Sequence, residues 1–130
     1  MNLDLESARS AQEIIKNTYS QKSSEVDNLV TKTLGVLQEN GVYACMLFLC
    51  SRTSTADTAV AVKVRKELLT LTEKMGKKPP SKLEIQAVEI QAVLSFLTSE
   101  ICNDLDTLLF VKQLWEQTLT YARYGAKARE

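Results

Sequence analysis

Histidine is absent from this 130-residue chain. With it go the commonest general base near neutral pH and a leading ligand for transition metals. Glycine (4) and proline (2) are scarce, which disfavours a loop-rich or all-β fold built on many tight turns. There is no Gly-rich phosphate loop, no C-x-x-C pair and no H-E-x-x-H. Net charge is zero, so no overall field draws the molecule to nucleic acid or to an anionic membrane. The longest apolar run, Val42 to Cys50, has nine residues, about half of what a bilayer-crossing helix needs. The opening stretch MNLDLESARS is polar and acidic rather than signal-peptide-like. These absences set an expectation: a cytoplasmic protein, not an enzyme, with no metal, no cofactor and no membrane partner.

Three cysteines cannot all pair within one chain. Cys45 and Cys50 would point about 140° apart on a helix and cannot bridge, so all three are expected to be small apolar fillers. Asp104 and Asp106, two residues apart, would diverge on a helix and make a poor carboxylate pair.

What is present is helical periodicity. The chain is long enough for one core, and residues 1–130 are expected to form a single domain. Leu5, Ala8, Gln12, Ile15 and Tyr19 mark one face of a first helix over 4–20. Ser24, with Asp27 three residues on, resembles an N-cap for a second helix over 25–39, whose stripe is Val26, Leu29, Val30, Leu34 and Leu37. Asn40-Gly41 should end it, with Gly41 left-handed. The run that follows is apolar all round. A helix over 42–52 of that kind is expected to be enclosed by the rest of the molecule, with Val42, Leu47 and Phe48 in the core. Val60, Val64, Leu68, Leu71 and Met75 line a fourth helix over 57–75. Residues 76–80 (GKKPP) break it and form an internal loop. Ser81 and Glu84 suggest a capping box for a fifth helix. A sixth is expected over 99–124, with Leu105, Leu108, Trp115 and Leu119 inward, followed by a loose tail over 125–130. The fold class is therefore all-α: a compact bundle of about six helices around a buried central helix (42–52).

The charge is neutral overall but uneven, +5 over 51–82 against −5 over 83–119. Lys63, Lys66, Lys74, Lys77 and Lys78, with Arg65, could meet a phosphate backbone. No aromatic residues interleave with them, so base stacking is not indicated. A plain solvated lysine face is the competing reading.

Three motifs occur in order along the chain: Ala8-Arg9-Ser10-Ala11 in the first helix; Asn40-Gly41-Val42 leading through Phe48-Leu49-Cys50 to Ser51-Arg52; and Leu109-Phe110-Val111-Lys112-Gln113-Leu114 in the last helix. Together they resemble the small α-helical subunit of the Cmr complex, the type III-B CRISPR RNA-silencing effector. Gln113 stands where that family usually has a second basic residue. The resemblance implies a non-catalytic structural subunit that stacks beside the backbone and large subunits and neighbouring copies of itself. It also implies a place along the channel where guide RNA pairs with target RNA. Arg52 and Lys112 are the cations the motifs supply for such a contact. Without RNA, Arg52 would complement the end of its own helix and Lys112 would extend from the core with its stem packed. The alternative function is a helical protein–protein adaptor with no nucleic-acid role.

Overall fold

Three of the helices begin where a side-chain oxygen accepts from one of the first unpaired amides. In this computed structural model, which describes residues 1–80 and 87–129, α1 spans Leu3–Asn17 and α2 spans Ser23–Asn40. The Asn2 side chain accepts from the Leu5 amide at 3.1 Å, and Asp4 and Glu6 lie in the first turn of α1. Helix α1 closes at Thr18, whose hydroxyl donates to the Ile14 carbonyl. Tyr19, expected on the core face, is 69% exposed. Helix α2 starts earlier than Ser24 would allow: the Lys22 amide donates to Glu25 Oε1 at 3.2 Å, so Lys22 is the cap. Gly41, at φ 96°, then serves two helices. Its amide donates to Leu37 O and its carbonyl accepts from the Cys45 amide. That left-handed hinge costs a glycine nothing and any other residue strain.

Helix α3 spans Val42–Cys50, two residues shorter than expected. Val42, Cys45, Met46 and Leu49 are buried, a 3-1-3 spacing along one face. Tyr43 and Leu47 stand 38% and 45% exposed, and Phe48 is half-buried against the core. Leu47 is thus a surface residue. Apolarity on every side did not enclose the helix, because α3 lies across α2 and α4 with its outer face uncovered by them.

Helix α4 spans Thr55–Lys74, capped by Ser54, whose hydroxyl accepts from the Asp57 amide. Gly76, at φ 87°, ends it, and the Lys77 amide returns to Thr72 O. The Ser81–Glu84 capping box falls outside the described residues. Helix α5, Ala87–Phe96, runs into a wide turn over Leu97–Ile101. That turn closes with Cys102 N–H to Leu97 O at 2.7 Å, a five-residue step. The expected continuous helix from 99 is broken here. Asp104 accepts from both the amide and the hydroxyl of Thr107 and caps α6, Leu105–Ala128.

Helix α6 is the centre of the bundle, packing on α1, α2, α3, α4 and the wide turn. Trp115 is fully buried, and its indole Nε1 donates to the Leu68 carbonyl of α4 at 3.0 Å. A buried indole needs such a partner. Leu108 is half-buried against the core, and Leu105 is 67% exposed. The 125–130 tail is not loose over its described part: α6 continues to Ala128, Ala126 is buried, and Arg129 donates to the Thr18 and Gln21 carbonyls. Gly125 does not stop the helix. A Cβ there would meet Ile15 Cγ1 at 3.0 Å, so its role is the close approach of α1. No helix among the described residues is long and apolar enough to cross a membrane.

Candidate functional site

The cations expected to meet RNA do not form one cluster. Arg52 turns back on its own helix: Nε donates to Phe48 O at 3.0 Å, Nη2 donates to Ser51 Oγ at 3.2 Å, and the guanidinium lies 3.9 Å above the Phe48 ring. It satisfies a carbonyl at the end of α3 and covers the half-buried Phe48 ring. Lys112, on α6, has its ammonium 3.9 Å from Glu116 one turn on, with the side chain one-third exposed. Such a pair is screened and weak.

On α4, Lys63, Lys66 and Lys74 fall within roughly 80° of one another around the helix axis. Lys74 bonds Glu6 of α1 at 2.9 Å, which holds the Glu6 carboxyl below its ordinary range. Lys63 is half-buried and Lys66 exposed, and neither meets a carboxylate within 4 Å among the described residues. Arg65 points the other way, with Nη1 3.5 Å from Cys50 Sγ. In the 76–80 loop, Lys78 is exposed, and Lys77 lies near enough to Asp104 to help hold its carboxyl low, after the two Thr107 hydrogen bonds. The sequence run at 63–78 is therefore split into an α4 face, an α3-facing arginine and a loop.

Acidic groups interrupt that face. Glu67, 9% exposed, is raised above the usual carboxylate range by burial and then by Glu13 of α1, with Lys66 and Lys74 opposing. Two of the three thiols are not poised for nucleophilic work: burial pushes Cys45 up to about 12 and Cys102 upward as well. Among the described residues no three His, Cys, Asp or Glu side chains converge to hold a metal.

Sequence reasoning missed an open groove of about 550 Å³ between α1 and α6. Ala8, Ile15 and Tyr19 line it, residues assigned by periodicity to a buried face. The signal was the small-residue content: Ala8, Ala11 and Gly125 let two helices approach while leaving space beside them. Comparison with protein-family models, curated proteins and solved structures finds no match.

Proposed function

We propose that the chain is a non-catalytic structural subunit of a type III-B CRISPR RNA-guided effector ribonucleoprotein. In this reading it works in the cytoplasm, packs beside backbone and large subunits and copies of itself, and helps hold the guide RNA–target RNA duplex. The observation that carries the reading is the exposed or half-buried trio Lys63, Lys66 and Lys78, which meet no carboxylate within 4 Å among the described residues. Two of them are mounted on a long, well-anchored helix, which lowers the ordering cost of a phosphate contact. Contacts of this kind position RNA without reading its sequence. Arg52 and Lys112, supplied by the motifs, contribute structure first: one ends α3 and the other pairs within α6.

A helical adaptor that binds only protein is the second reading, and the α1–α6 groove favours it. Purification of the tagged chain from its own cells, with and without ribonuclease, separates the two. The ribonucleoprotein reading expects short guide RNAs of shared repeat sequence to co-purify, protected from nuclease. Protein partners retained with no protected RNA would leave the adaptor.

A further inference from the structure

The α1–α6 groove follows α1 from Ala8 to Tyr19, roughly 16 Å at 1.5 Å per residue. Ala8, Ala11 and Ile15 of α1 and Gly125 of α6 are buried or half-buried in its lining, while Tyr19 stands exposed at one end. The aromatic side chains are held before anything binds. Tyr121 donates its hydroxyl hydrogen to the Asp4 carboxylate and accepts from Gln117 Nε2 at 2.6 Å. Tyr19 is stacked against Arg129, whose guanidinium carbon is 4.9 Å from the ring centre and which is itself bonded to two backbone carbonyls. A preformed lining costs little further ordering.

Charge gives the groove a polarity. Lys16 lines it, and its ammonium meets no carboxylate within 4 Å among the described residues. Of the acids of α1, Glu6 pairs with Lys74 and Glu13 lies close enough to α4 to act on Glu67, while Asp4 borders the groove but is taken up by the Tyr121 hydroxyl. An occupant therefore finds apolar lining along about three helical turns and a cation beside it. The groove is open along one side, too exposed to enclose a small ligand as closed pockets do. Its small lining residues suit the close approach of another helix.

We infer that the α1–α6 groove seats an amphipathic helix of a partner protein, its apolar face against Ala8, Ile15 and Gly125 and its carboxylates beside Lys16. This rests on the reading of the chain as a subunit that packs against protein neighbours, and names one such contact.

The test uses two fluorescently labelled helical peptides of about fourteen residues, long enough to span the groove. They share one leucine face and differ only in glutamate or lysine flanks. At low salt the glutamate peptide should bind more tightly, on the order of fivefold, and lose that advantage at high salt. Lys16→Glu should reverse the preference. Ala8→Trp, which fills the groove, should abolish binding of both, with circular dichroism confirming intact helix. Absent binding, equal binding of the two peptides, or binding indifferent to Ala8→Trp in folded protein would overturn the inference. So would a dimer in sedimentation that Ala8→Trp dissolves, which would assign the groove to a second copy. An RNA oligonucleotide that competes with the peptide would overturn it as well. The peptides contain no RNA and Lys63, Lys66 and Lys78 are not in the groove, so loss of the RNA reading alone leaves this result standing.

Discussion

Two buried or partly buried polar groups reveal how individual residues set stability. Trp115 combines a full aromatic burial with one hydrogen bond, from Nε1 to Leu68 O. Trp115→Phe keeps most of the apolar area and deletes the donor. It should destabilise by about 1–3 kcal/mol, read from the urea midpoint at unchanged m-value. Glu67 works in the opposite direction. Burial and Glu13 raise its folded-state pKa above the ordinary value of 4.5. Its favourable contribution is therefore complete below the unfolded pKa and lost as pH rises through the folded one. Glu67→Gln should be more stable than the wild type at pH 7, and the difference should shrink as pH falls toward 4.5. Thermal midpoints at several pH values check this, and a constant difference across the range would show that Glu67 ionisation is not the cause.

At the level of elements, α3 decides between two arguments. Average apolarity places all nine residues inside, whereas helical spacing selects Val42, Cys45, Met46 and Leu49. The structure follows spacing. Met46→Ala should cost about 2–5 kcal/mol, and Leu47→Ala, on the uncovered face, should change stability by no more than about 0.5 kcal/mol. Similar denaturant midpoints for the two variants would mean that the helix is rotated.

The helix class, the Gly41 hinge, the Gly76 stop and burial of Val42 and Trp115 were legible in the sequence, because each depends on local periodicity or on a left-handed backbone only glycine tolerates cheaply. The start of α6 was legible in principle. Asp104 followed by an apolar run is an N-cap signal, hidden because the wide turn over Leu97–Ile101 carries helical spacing up to it. The fate of Arg52 was not legible, since a cation after a helix has the same sequence whether it reaches outward or folds back onto Phe48. Nor was the groove, which depends on how closely Gly125 lets α6 approach Ile15.

For the whole molecule, the proposed function implies that a neutral chain would bind RNA weakly by itself and more strongly where an assembly holds several copies along one duplex. In that proposal RNA contact falls on few residues per copy, namely Lys63, Lys66 and Lys78, whereas Arg52 serves the integrity of α3. Charge reversal at the three lysines should leave the helices intact, because none is part of an ion pair among the described residues. Lys66→Glu nonetheless removes a cation that favours ionised Glu67 and should lower stability somewhat at neutral pH. Arg52→Glu should instead lower thermal stability, by removing the hydrogen bond to Phe48 O and the cover over its ring.

The most direct measurement is target-RNA affinity of the assembled complex as a function of salt, with wild-type chain and with Lys63→Glu, Lys66→Glu and Lys78→Glu combined. The account predicts weaker binding and a shallower slope of log K against log salt, by about 2–3 for each copy in contact, with no change in preference among RNA sequences. The same affinity and the same slope in a correctly assembled triple variant would contradict it.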